Sequence, residues 1–299
     1  MRFLRRITLF LSSFLLVGLI SLLGAAECAP TPEACECKKS STDLTAARSF
    51  WTVESSENFT VCCPPGIDSK VVIKSCEEAR LKIADFWHTD KAAWTRKCYV
   101  VLHPTASSYK QFVGLGASHS SGCSTLEIKE GIVLARRIDL RLDRPDTLVR
   151  ILPHELSHII MADETADKPL PKWADEGMAM LTDPPEKRAG HRADASNAKQ
   201  RGRAIRLDTL LTTVGYPEPE LQATFYGQSL VLAEYLVAAH GTSEFKRFMK
   251  TSAKFGANRA LAEVYGYSIS ELEKNYAKHV VQPTPTANKS QIIFASAGE

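Results

Sequence analysis

No nucleophile elbow of the GxSxG kind, no phosphate-binding loop and no dinucleotide fingerprint occurs among the 299 residues. The usual motif grounds for a serine hydrolase, a nucleoside triphosphatase or a Rossmann dehydrogenase are therefore missing. An excess of one charge is lacking as well. The formal +3 comes from Arg2, Arg5 and Arg6, and beyond residue 26 the chain is neutral, so global charge argues for no particular partner. Locally, Lys187, Arg188, Arg192, Lys199, Arg201, Arg203 and Arg206 face only Glu186 and Asp194. This run reads as a solvated helix face, with an acidic substrate or anionic lipid as the lesser alternative. No aromatic residues are interleaved with it, so no nucleic-acid partner is indicated. No internal repeat is visible.

Cysteine is absent after position 123, and no CxxC pair occurs anywhere. The eight cysteines are Cys28, Cys35, Cys37, Cys62, Cys63, Cys76, Cys98 and Cys123. Their compartment is suggested by the N-terminus, where Arg2, Arg5 and Arg6 precede an apolar stretch from Ile7 to Leu23 and then Gly24-Ala25-Ala26. That is the pattern of a secretory signal and predicts export, to the periplasm, the outside or an outward-facing membrane-anchored position. Residues 7–23 are also long enough to attach the chain to a membrane if they are not removed. A lipoprotein reading is weaker, because Glu27 stands before Cys28 where a small residue is needed. With export, disulfides are the default state of these cysteines, with a metal cluster as the alternative and no connectivity assigned.

Patterning predicts an α+β chain in four parts. Residues 1–26 are a signal peptide or membrane anchor, 27–49 a Cys/Pro-rich linker, 50–281 the folded domain, and 282–299 a disordered tail. Within 50–142 a small mixed or antiparallel sheet is expected. It draws on a strand at Phe59 and Val61, a helix over 68–88, a buried strand Cys98 to Leu102, a short helix 107–113, a mobile 114–122 segment and a hairpin over 124–141. In the second hairpin strand Ile132, Leu134, Ile138 and Leu140 form the packed face, and Val133, Ala135, Arg137, Asp139 and Arg141 the wetter one. From 143 to 281 the chain reads as mainly helical, over 145–162, the Pro171 to Leu181 region, 185–200, 207–213, 220–239, 242–253, 257–264 and 269–279.

Two short segments carry chemistry. His154-Glu155-Leu156-Ser157-His158 places two imidazoles four residues apart on one helical face, able to converge on one ion. Glu155 lies about 100° round the helix, too far to chelate with the pair but placed to reach a metal-bound water as general base. Eighteen positions after His158, Trp173-Ala174-Asp175-Glu176-Gly177 offers Glu176 as a third ligand, leaving a fourth position open, the composition of a catalytic Zn2+ site. Pro153 inside the first helix should cost a hydrogen bond or a slight kink. Asp143 or Asp146 can cap that helix, and Asp163, Asp175 and Asp183 are the nearest carboxylates for orienting the histidines. The remaining His88, His103, His119, His240 and His279 have no ligand spacing and read as surface or core residues.

HELSH followed by WADEG resembles the gluzincins, the peptidase MA-like zinc peptidases, over about Trp51 to His279. The resemblance implies a zincin-like fold, zinc held by His154, His158 and Glu176, and hydrolysis of peptide bonds in a peptide or protein substrate with Glu155 as the base. It also implies a strand within 124–141 that borders the cleft and pairs with extended substrate, and Tyr226 as a catalytic hydroxyl, with His191 or Tyr216 competing. The chain departs from thermolysin-type members in a shorter spacer and in having Met180 where they carry an aspartate. It also lacks the GxMEN-like strand of aminopeptidases. The alternative expectation is a catalytically weak or inactive relative that binds a peptide or cell-envelope component.

Overall fold

The computed structural model describes residues 51–113, 120–145, 147–166 and 168–281, together with the backbone of 5–10. The rest of residues 1–50, with Cys28, Cys35 and Cys37 and so the expected signal and linker, residues 114–119, Asp146, Asp167 and residues 282–299 lie outside the described residues. The chain divides into two compact units, one built from 1–77, 93–129 and 133–147, the other from 78–92, 130–132 and 148–299.

The first unit is organised by a six-stranded mixed sheet: β1 (Arg5–Phe10), β2 (Thr52–Ser55), β3 (Phe59–Cys63), β4 (Cys98–His103), β5 (Gly122–Lys129) and β6 (Ile132–Arg141). The spatial order is β1-β5-β6-β4-β3-β2. β3, β4 and β6 run parallel, with Phe59 beside Cys98 and Cys98 beside Arg136, while β1 and β2 pair antiparallel at the two edges. The expected strands are present, and β1 and β2 are additions. Alternation puts Phe59, Val61, Val100, Leu102, Ile138 and Leu140 in the core, all fully buried. The first part of α1 (Ser69–Trp87) contributes buried Val72 and Cys76, and α2 (Ala106–Val113) contributes Tyr109.

The supposed wetter face of β6 is corrected by the structure, because Asp139 and Arg141 are buried. Asp139 accepts from Arg137 Nε and Nη2 at 2.7 and 2.8 Å and lies 2.7 Å from His103 Nε2. Burial alone would raise the Asp139 carboxyl, but Arg137 and His103 outweigh it and hold it below the ordinary value. The alternation rule failed here because polar groups that satisfy one another can occupy a buried face. Cys62, Cys63, Cys76, Cys98 and Cys123 are buried thiols, and no disulfide joins them. Among the described residues, the group spaced to hold an ion contains no cysteine.

The second unit is helical, with α3 (Thr147–Arg150) leading into α4 (Leu152–Glu164), then α5 (Lys172–Met180), α6 (Pro185–Gln200), α7 (Leu207–Thr212), α8 (Pro219–Phe255), α9 (Ala257–Tyr265) and α10 (Ile269–Val281). The expected helix over 145–162 is thus divided. Ile151 caps α4, so Pro153 falls in its first turn, where the missing N–H has no partner to lose, and the anticipated cost disappears. Pro171 is likewise the N-cap of α5 rather than a first-turn residue. α8 contains both expected helices, broken at Gly241, whose φ of 81° leaves the helical region. Among the described residues no helix is long and apolar enough to cross a membrane.

Part of the 186–206 basic run is not a solvated face. Arg188 is buried, and Arg192 makes a bidentate ion pair with buried Glu234, Nε to Oε2 at 2.8 Å. Trp173 anchors α5 through an edge contact to Phe245 and a tilted contact to Phe248, with ring centroids 6.3 and 6.4 Å away. α5 also meets α8 at very short range. A Cβ on Gly177 would stand 2.6 Å from the Ser229 carbonyl oxygen, so only glycine fits there. Gly227 of α8 plays the same part against α6, where a Cβ would lie 2.5 Å from His191 O. The helix bearing Glu176 is therefore positioned by a backbone contact.

Candidate metal centre

His154, Glu155 and His158 on α4 and Glu176 on α5 are all buried within the second unit. The ligand atoms of His154, His158 and Glu176 lie within 4.8 Å of one another. Glu176 Oε2 is 3.8 Å from His154 Nε2 and 3.9 Å from His158 Nε2. Its other oxygen is already engaged. Oε1 accepts from the Tyr216 hydroxyl at 2.5 Å and lies 3.5 Å from Lys172 Nζ, which sits over the Tyr216 ring. The carboxylate is thus oriented with one edge held and the other facing the two imidazoles.

Each imidazole is fixed from behind. His154 Nδ1 is 3.1 Å from Asp183 Oδ1, and His158 Nδ1 is 2.7 Å from Asp175 Oδ1. Lysines in turn hold these carboxylates: Lys187 Nζ donates to Asp183 Oδ1 at 3.0 Å, and Lys172 Nζ to Asp175 Oδ2 at 2.9 Å. Both Nε2 atoms are left to face Glu176. Of the three sequence candidates for this supporting role, Asp175 and Asp183 supply it, and the position of Met180 does not.

Burial alone would push the acids up and the imidazole down, yet the pairing reverses each effect. Burial opposes ionisation of Glu176, but His154 and Lys172 outweigh it and bring the carboxyl to about 2. Asp183 also falls to about 2 against its burial, through Lys187 and His154, and Asp175 is held below the ordinary carboxylate range by His158 and Lys172. Against burial, the Asp183 charge and hydrogen bond carry His154 up to about 9. The buried atoms that nonetheless lack a hydrogen-bond partner include His154 Nε2 and Glu176 Oε2. Orphaned buried polar atoms are rare and costly, and here these two face the same point.

Tyr226 joins this group. Its ring is 6.1 Å from Tyr216 and 6.1 Å from His191, and its buried hydroxyl has no hydrogen-bond partner. Burial, followed by the Glu176 charge, pushes the phenol far above its ordinary value, so it stays a donor. Tyr216 is raised for the same two reasons, but its proton is committed to Glu176. His191 is depressed by burial and has an unpartnered Nδ1.

Sequence reasoning missed Lys172, Lys187 and the clamping role of Tyr216. Helical spacing carried a signal for the lysines: Lys172 stands three and four residues before Asp175 and Glu176, and Lys187 four after Asp183. Nothing local marked Tyr216, forty residues from its partner.

No curated protein matches the chain. A family model described as peptidase MA superfamily matches residues 142–282, a span that contains every residue of the cluster. With the HELSH and WADEG segments on adjoining buried helices and the donor atoms of His154, His158 and Glu176 within 4.8 Å of one another, residues 142–282 of this chain are similar to the peptidase MA superfamily.

Proposed function

We propose that this chain is an exported zinc metallopeptidase that hydrolyses peptide bonds in peptide or protein substrates. The observation that carries the reading is the pair of orphaned buried atoms, His154 Nε2 and Glu176 Oε2, facing each other beside His158 Nε2. Two imidazoles and one carboxylate are a donor set suited to catalytic zinc, and His154, His158 and Glu176 would hold it. Zinc in such a site supplies Lewis acidity, which lowers the pKa of water towards neutrality and polarises a carbonyl.

The protein's own groups do the rest. Glu155 accepts the proton of the attacking water and returns it to the leaving amine. The Tyr226 hydroxyl, uncommitted and kept protonated, donates to the oxyanion that develops on the scissile carbonyl, with His191 as its competitor. Tyr216 is a positioning residue, because its proton holds Glu176. Export is supported by the basic and apolar pattern of residues 2–23, which would serve as leader or membrane anchor.

Elemental analysis of the purified chain, paired with cleavage of a random peptide library, tests this reading. One zinc per chain and turnover are expected, and Glu176→Ala should lose both. Zinc without turnover would favour a peptide-binding role, and zinc retained at full affinity by Glu176→Ala would overturn the ligand set. Zinc affinity also reports on the supporting carboxylates. Asp183→Asn should weaken zinc binding by roughly 10–100-fold in a chelator competition, because His154 loses the acceptor that fixes its ring.

A further inference from the structure

Past the break at Gly241, the second half of α8 turns Phe245, Phe248 and Met249 into the core. Its outer side carries Lys246, Lys250 and Lys254, each four residues after the last, with Arg247 beside them. Like charges at this spacing oppose a helix, so helix stability does not account for the row. A cation in the last turn offsets the helix dipole, which accounts for Lys254 alone. All four cations line one surface groove of about 410 Å³, within the range of roughly 300–1,000 Å³ typical of small-molecule sites. The hydroxyl residues Ser243 and Thr251 and the ring of Phe255 complete its lining, which contains no carboxylate.

The neighbouring acids are too few for these cations. Glu164 of α4 is shared, with Oε2 2.7 Å from Lys250 Nζ and 3.6 Å from Lys246 Nζ. Glu244 takes Arg247, Nε donating to Oε2 at 3.1 Å. Lys254 is exposed and has no ion pair among the described residues. An ammonium carries three protons, so Lys250 keeps donors free beyond its bond to Glu164. Phe255 is 54% exposed, with the Arg259 guanidinium 4.3 Å from its ring centre.

We propose that this groove is a binding site for a phosphate group carried on an organic molecule. Lys250 and Lys254 supply point charges and Ser243 and Thr251 supply hydroxyl donors, the groups that charge-assisted binding of a phosphate needs. The exposed Phe255 ring gives the apolar part of the carrier a surface to cover.

Isothermal titration of the full chain with phenyl phosphate, beside flotation with vesicles of phosphatidylglycerol or of phosphatidylcholine, tests the site and separates two sources of the phosphate. Saturable binding of phenyl phosphate would identify a soluble phosphomonoester. Greater retention on phosphatidylglycerol than on phosphatidylcholine, without phenyl phosphate binding, would identify a lipid headgroup. In either case Lys254→Glu should weaken binding by about tenfold or more, and Lys254→Gln by less. Lys274→Glu, which reverses an exposed charge on α10 outside the groove, should leave binding unchanged. Absence of phenyl phosphate binding together with equal retention on both vesicles would overturn the proposal, as would an equal loss in Lys274→Glu. No arm reads metal or peptide cleavage, so this result stands or falls separately from the peptidase reading.

Discussion

Glu155→Gln is expected to keep zinc and lose turnover. Glutamine fills the volume of a fully buried glutamate and leaves His154 and His158 untouched, so the zinc content should remain at the wild-type level. What disappears is the basic oxygen. Positioned general bases are worth roughly 10²–10⁴-fold in rate, and kcat on any cleaved peptide should fall by about a thousandfold or more, with little change in KM. Single-turnover kinetics beside elemental analysis would check both halves. Undiminished turnover in the zinc-loaded variant would remove Glu155 from the mechanism. Loss of zinc together with loss of activity would mean that Glu155 holds the site together rather than moving a proton.

Gly177→Ala should be the most damaging substitution of a residue that carries no functional group. Its Cβ would stand 2.6 Å from Ser229 O and 2.9 Å from Ala233 Cβ, a backbone collision that no rotamer relieves. α5 and α8 must part. Overpacking of this kind costs typically ~1–3 kcal/mol, which corresponds to a melting point lower by several degrees, and displacement of α5 moves Glu176 away from the imidazoles. Stability and zinc affinity should therefore fall together. Gly190→Ala is the internal control, because nothing lies within 4 Å of a Cβ there and helix propensity alone should make it neutral or slightly stabilising.

Periodicity located the elements well, since the reading of 185–200 coincides with α6 and that of 68–88 differs from α1 by one residue at each end. These helices bury one side, and period 3.6 reports that directly. The errors fell where one residue was read for its average behaviour. Pro153 looked like a fault inside a helix because the division at Ile151 was not legible, and Asp139 and Arg141 looked wet because each charge was read singly, although Arg137 and Asp143, two positions away along the chain, pair with them. Arg188 and Arg192 were misread for the same reason, their carboxylate lying on α8. The centre itself was legible as far as adjacent positions could carry it. His154, Glu155 and His158 are linked by a single helix, and Glu176 by its company in WADEG. Selection of Asp175 and Asp183 over Asp163, and of Tyr216 as the clamp on Glu176, depended on helix packing that spacing does not encode.

The lysine-held carboxylates behind the histidines bear on how the protein matures. Since Lys172, Lys187 and Tyr216 lock the acids and rings from outside the cluster, the three donors are aligned by protein contacts alone. In the proposed metallopeptidase, such a cradle would let folding precede metal loading, and the folded chain would stay inert until the ion arrived.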